Sequence, residues 1–242
     1  MKKAILALAV LCFLYVLYEY LTLPDVSALR HENPSKTMLM VQRDEEAKTQ
    51  GRKPRRNQSW VPLASIPDYL IAAVLIGEDD AFYQHEGYDV NQIKESLIRD
   101  WEKKGFVRGG STITQQLAKN LYLSSSKTPF RKVKEFLIAR RLEEELSKRR
   151  ILEIYLNVIE WGDGIYGVEA ASRFYFSEPA SNLGIQEAVL LAAVIPNPRR
   201  MNPKRPNQRV LFRFNMILDR MHQYKHIDDK QYRQAQLHIA VD

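Results

Sequence analysis

Gly184-Ile-Gln-Glu-Ala-Val-Leu-Leu-Ala-Ala-Val-Ile-Pro196 is the stretch that decides the fold. From Gly184 to Val194 it is apolar on several faces, and Pro196 stops it. A helix that is apolar all round belongs in the centre of a protein. Proline ends it by removing a donor and clashing with the preceding turn. Helical signals surround this segment. Pro206 opens a helix carrying Leu211, Phe214, Ile217, Leu218 and Met221, and Asp228 caps a short last one. Upstream, the spacing predicts helices from Pro129 to Ser147 and from Lys148 to Val158, and a helix start at Ser111. Val90, Ile93, Leu97 and Trp101 predict another, ending at Gly105. No alternating strand series interrupts them, so the body reads as one mainly α domain.

The first chemically informative stretch is Gly77-Glu-Asp-Asp-Ala-Phe-Tyr-Gln-His-Glu-Gly-Tyr-Asp89, fed by the apolar run Leu70, Ile71, Ala73, Val74 and Leu75. Acids crowded against an apolar helix end favour the neutral form, through like charge and poor solvation. A carboxylate with a raised pKa is the better general base near neutrality. The plain alternative is a solvated helix end with turn glycines at Gly77 and Gly87.

Gly109-Gly-Ser-Thr-Ile-Thr-Gln-Gln-Leu-Ala-Lys-Asn120 leads two glycines into a helix N-terminus, whose free N–H groups and dipole favour anions. Ile113, Leu117 and Leu121 make an apolar stripe. Thr112, Gln115, Gln116 and Lys119 share a polar face of hydroxyls and amides, suited to sugar hydroxyls, or to nothing more than a capped surface helix. No Gly-Lys-Ser/Thr follows the glycines, which excludes a nucleotide P-loop. In the next helix Arg131 and Glu135 lie one turn apart. They fit either a surface pair or a carboxylate held beside a pyrophosphate site.

The 242 residues are 45% hydrophobic, which excludes a disordered chain. A net charge of +7 points to an anionic partner: nucleic acid, headgroups or a phosphorylated substrate. Lys2 and Lys3 precede an apolar run over residues 4–23, interrupted by Glu19. Roughly 20 residues span a bilayer, with the lysines inside and Tyr15, Tyr18 and Tyr20 at the outer interface. An uncleaved anchor is the favoured reading; a signal peptide cut near Val26-Ser-Ala28 is its rival. The single cysteine, Cys12, lies in this run, so the exported body has neither disulfide nor cysteine metal site, and Leu11 argues against lipidation. Residues 1–3 form a cytoplasmic tip, and 24–59 read as a polar, proline-broken linker. Within it residues 37–43 suggest a short strand, and Arg52-Lys-Pro-Arg-Arg56 either meets headgroups or is simply solvated.

Together these stretches resemble the peptidoglycan glycosyltransferases of family 51, membrane-anchored enzymes that polymerise lipid II. Glu-Asp-x-x-Phe-x-x-His-x-Gly-x-Asp runs from Glu78, and Gly-Gly-Ser-Thr-Ile-Thr-Gln-Gln from Gly109. Arg-Lys-x-x-Glu runs from Arg131, Ile-Leu-Glu-x-Tyr-Leu-Asn from Ile151, and Pro-Asn-Pro from Pro196. Five such motifs in order, over residues 60–242, are a specific signal. Few residues follow the last, so the monofunctional version is expected. The resemblance implies a lysozyme-like helical fold in that domain, on the periplasmic side of a bacterial inner membrane. Glu78 would act as general base on the acceptor's 4-hydroxyl, inverting the donor's anomeric carbon. Lys119, Arg131 and Lys132 would stabilise the departing pyrophosphate, with Glu135 orienting them, assisting near the leaving phosphate or binding a metal. Asp79, Phe82 and His85 would shape the pocket, and Ser111, Thr112, Gln115, Gln116 and Asn120 would complete the substrate site. Mg²⁺ fits a pyrophosphate with one or two carboxylates, and basic residues could do the same work, so metal dependence is open. Expected partners are lipid II, the lipid-linked glycan strand and the bilayer, with other wall-synthesis or division proteins as further candidates and nucleic acid excluded. The rival enzyme is a lysozyme-like lytic hydrolase; a non-catalytic scaffold is the third reading. Phe106, Val107 and Leu121–Leu123 either dip into the membrane or belong to the core.

Overall fold

Helices dominate because apolar residues recur at helical spacing nearly everywhere the chain is long enough to form one. A computed structural model describes residues 2–90, 110–124 and 129–237. Ile93, Leu97, Trp101, Gly105, Phe106, Val107 and Gly109, named above, lie outside these. The chain divides into two compact units, one of residues 1–39 and 86–151, the other of residues 40–85 and 152–242.

In the first unit, α1 spans Lys2–Leu21, α4 Ile113–Tyr122 and α5 Pro129–Glu145. Ile113, Leu117 and Leu121 are buried, as their spacing predicts, and α4 packs on α5, whose Ile138 and Leu142 are also buried. Lys134 of α5 pairs with Glu19 of α1 at 2.9 Å, and Tyr15 donates to the same carboxylate at 2.8 Å. Among the described residues no helix is long and apolar enough to cross a membrane.

The second unit is built around the stretch quoted first. It forms a helix, Ile185–Val194, with every residue from Ala188 to Val194 buried. This helix, α8, packs against α3 (Asp68–Glu78) and α9 (Gln208–Gln223). Leu70 and Val74 on α3, and Phe214, Ile217, Leu218 and Met221 on α9, close the core. Asn207, not Pro206, caps α9, accepting from the Val210 amide at 3.0 Å. The last helix, α10 (Asp229–Leu237), is capped by Asp228 as expected. Earlier in the chain than α8, α7 spans Val168–Phe176.

Two helices are shared by the units along the chain: α2 (Met38–Thr49) and α6 (Lys148–Val158). The first corrects the strand expected over 37–43. Met38, Leu39, Met40, Gln42 and Arg43 are good helix formers, and Glu45, Glu46, Ala47 and Lys48 extend the same preference. A small sheet was not legible. β1 (Asn57–Gln58) runs parallel to β3 (Ile165–Tyr166), and β3 antiparallel to β2 (Glu160–Gly162). Strands this short leave no alternating signature. The segment expected as a linker therefore contributes a helix and a strand. Gly167 allows β3 to turn into α7: its φ is +81°, and a Cβ there would meet the Asn157 carbonyl oxygen at 2.6 Å.

Candidate active site

Glu78 is the last residue of α3, and its side chain is 9% exposed. Arg213 of α9 reaches it: Nη2 donates to Glu78 Oε1 at 2.8 Å and to the Gly77 carbonyl at 3.0 Å. Nε of the same guanidinium donates to the Ala193 carbonyl of α8 at 3.1 Å. One arginine thus ties the end of α3 to the end of the buried helix and fixes the glutamate between them. A charge-assisted bond of this kind is among the stronger ones.

The neighbouring acids are distributed, not crowded. Asp79 is buried, and both of its oxygens lie within reach of His85 Nε2, at 3.0 and 3.2 Å. Phe82, fully buried, stands edge-on to His85 with ring centroids 6.3 Å apart. Asp80 faces Arg220 at 3.5 Å. In the first unit Glu86 meets Arg140 at 2.5 Å. Each of these four acids has a cationic or histidine partner. Beneath Glu78 and Asp79 lies Tyr155 of α6. Burial, then the charges of those two acids, push its phenol well above the ordinary range.

The other residues of the Ile-Leu-Glu-x-Tyr-Leu-Asn motif are structural. Asn157, fully buried, donates to the carbonyls of Val61 and Glu153 and accepts from the Val61 amide, all at 2.8–2.9 Å. Glu153 accepts from the Leu63 amide at 2.9 Å. These bonds hold the chain segment that leads into α3.

The first unit assembles a second centre around Glu135, which is 3% exposed and so no surface residue. Lys132 Nζ donates to Glu135 Oε1 and to Ser111 Oγ, the latter at 2.9 Å. Arg131 Nη1 lies 3.6 Å from Glu135 Oε2. Ser111, Arg131, Lys132 and Glu135 are therefore one cluster. Thr112 and Gln115 have another task. They form a capping box at the start of α4, and Thr112 Oγ1 also donates to the Gly87 carbonyl at 2.7 Å. The amide and hydroxyl face read from spacing is thus partly occupied by the fold itself. Gln116 is half-buried, Lys119 exposed and Asn120 buried on the same helix. Glu143 accepts from Thr114 at 2.5 Å and from Lys148 at 2.8 Å.

Two cationic side chains already share the oxygens of Glu135, and among the described residues no group of three His, Cys, Asp or Glu side chains lies together.

Arg213 is the functional candidate that spacing did not reveal. It sits 135 positions from Glu78, on a helix whose visible signal is its apolar face. The only hint is a cation next to the core residue Phe214.

These two centres, one acid gripped by arginine at a helix end and one buried glutamate under a lysine, sit on a helical frame that comparison with known proteins places in a family. A family model described as Transglycosylase matches residues 44–222. The chain belongs to this family. A protein of Aromatoleum aromaticum named biosynthetic peptidoglycan transglycosylase is 48% identical over 80% of this chain and 84% of its own. Proteins of the same name from Nitrosomonas eutropha and Laribacter hongkongensis are 42% and 41% identical. The first alignment covers 88% of both chains, the second 91% of this chain and 96% of the relative. A crystal structure of penicillin-binding protein 1A from Haemophilus influenzae aligns over 77% of this chain and 18% of its own, at 24% identity and a TM-score of 0.46.

Proposed function

We propose that this protein polymerises lipid II into the glycan strands of peptidoglycan, as a glycosyltransferase. The observation that carries this reading is identity above 40%, over most of both chains, to proteins named for that activity. The side-chain arrangement within each unit supports it. Glu78, held by Arg213 at the end of α3, accepts the proton of the acceptor's 4-hydroxyl as that oxygen attacks the donor sugar. Attack from the face opposite the leaving group inverts the anomeric centre. A pyrophosphate is already a weak base, so it needs positive charge more than a proton. Lys132 and Arg131 supply that charge, with Lys119 as a third cation, and Glu135 holds the first two in place. His85 orients Asp79 next to the base, and Phe82 packs against His85. No step requires a divalent ion.

The apolar run over residues 4–23 anchors the protein as a single pass in the bacterial inner membrane, with the domain of residues 60–242 outside in a lysozyme-like arrangement. Its support is the sequence of the run, its helical form over Lys2–Leu21 and the two lysines before it.

The test is gel separation of products from labelled lipid II, with wild type and Glu78→Gln. Wild type yields polymer; the variant yields none while giving the same circular dichroism. Polymer from a folded Glu78→Gln removes the base from its role. Fragments released from purified sacculi, with no polymer from lipid II, would instead establish a lytic hydrolase.

A further inference from the structure

The second unit carries another concentration of positive charge, made of residues with no part in the centres above. A hollow there is lined by Arg43, Arg52, Lys53, Arg55, Arg199 and Asp163. Three of its arginines are held by acids. Arg43 binds Glu46 at 2.9 Å and Glu160 at 2.8 Å. Arg199 binds Glu46 at 3.0 Å and Asp163 at 3.3 Å, and Arg52 reaches Asp163 at 3.4 Å. Glu46 and Asp163 each secure two guanidinium groups, which sets those groups side by side. Lys53 and Arg55 are different: among the described residues neither side chain has an ion pair or hydrogen bond, although both line the same hollow. Gly164 lets the backbone close under them, since a Cβ there would meet the Arg55 carbonyl oxygen at 2.6 Å.

Counting the acids behind the lining, five cations (Arg43, Arg52, Lys53, Arg55, Arg199) stand against three acids (Glu46, Glu160, Asp163), a surplus of two. Gathering like charges on a fixed wall costs free energy unless an anion shares the site. Guanidinium forks match phosphate oxygens two at a time, and two surplus charges suit a phosphate better than a single carboxylate. We propose that this hollow binds a phosphate group. The group belongs either to an anionic phospholipid headgroup or to a soluble phosphate or pyrophosphate; the recognition chemistry is the same. This inference is independent of the glycosyl-transfer reading.

Hydrogen exchange of the full chain tests it and separates the sources. One arm adds inorganic pyrophosphate to protein in neutral detergent. The other compares nanodiscs of phosphatidylcholine with and without phosphatidylglycerol. Protection of backbone amides at 43–58 and 160–166 should rise in at least one arm. In Lys53→Gln/Arg55→Gln, which breaks no ion pair or hydrogen bond among the described residues, the same protection should need about thirtyfold more of the anion, from two charges each contributing about fivefold. Lys204→Gln/Lys230→Gln removes equal charge elsewhere and should behave as wild type. A rise with pyrophosphate alone assigns a soluble phosphate, and a rise with phosphatidylglycerol alone a headgroup. No rise in either arm, or equal loss in both double variants, overturns the proposal.

Discussion

Arg213 shows how much one side chain settles. It bonds Glu78, the Gly77 carbonyl and the Ala193 carbonyl, so the position of the proposed base depends on it. Arg213→Gln is expected to remove this guanidinium from a carboxylate only 9% exposed. A lost charge-assisted bond is worth about 1.5–3 kcal/mol, a tenfold to hundredfold fall in polymerisation rate if the whole effect reaches the transition state. The loss should fall on kcat more than on KM, because Arg213 acts through the base and not through substrate binding. Steady-state kinetics with labelled lipid II measure both, and a variant with wild-type kcat would show that Glu78 holds its position without Arg213. Asn157 belongs to the same scale but to stability. Asn157→Ala leaves the half-buried Val61 amide and carbonyl without this partner. Each unsatisfied buried group costs about 1–3 kcal/mol, so a drop of that order or more in urea unfolding free energy is expected.

At the scale of elements, the sequence was legible where a helix carries its own apolar pattern. The segment Ala188–Val194 is buried because no face of it is polar enough to meet water, and α6 begins and ends where spacing placed it. Legibility failed where the deciding contact lies far along the chain. Arg43, read as the end of a strand, is in a helix and pairs with Glu160, 117 positions away. The cap of α4 is a similar case. Thr112 and Gln115 looked like ligand groups because hydroxyls and amides serve both purposes, and only the coordinates show them bonded to each other. Tyr122, at the C-terminal end of α4, supports a prediction about pH. Burial first, then the charge of Asp25, raise its phenol to about 12. The unfolded chain ionises it in the ordinary range near 10, while the folded chain keeps its proton. Its contribution is therefore full below that range and declines as pH rises toward 12. Because the side chain is not fully enclosed, the effect is about 1–2 kcal/mol after allowing for solvent screening. Urea midpoints from pH 9 to 12 should fall less steeply in Tyr122→Phe than in wild type, and parallel slopes would contradict the assignment.

For the whole molecule, the question is what would hold a chain of net charge +7 at a membrane, as proposed above. Two physical routes are available, and they respond differently to conditions. Attraction of basic residues to anionic headgroups is screened within about 8 Å at physiological salt and released by more. Burial of α1 in hydrocarbon is indifferent to salt. The proposed anchor belongs to the second route, and its one internal acid has a counterpart. Glu19 is paired with Lys134 and accepts from Tyr15, so the charge near the outer end of the run does not face lipid alone. Leu6, Leu11, Phe13 and Leu14 project from α1 without protein cover. Full-length protein should therefore stay in the membrane pellet through both high-salt and alkaline carbonate washes. A chain lacking residues 1–23 should move to the soluble fraction at high salt, retaining only attachment that ionic strength controls. If the shortened chain survives the carbonate wash in the pellet, the hold on the bilayer lies in the folded units and α1 is not the anchor.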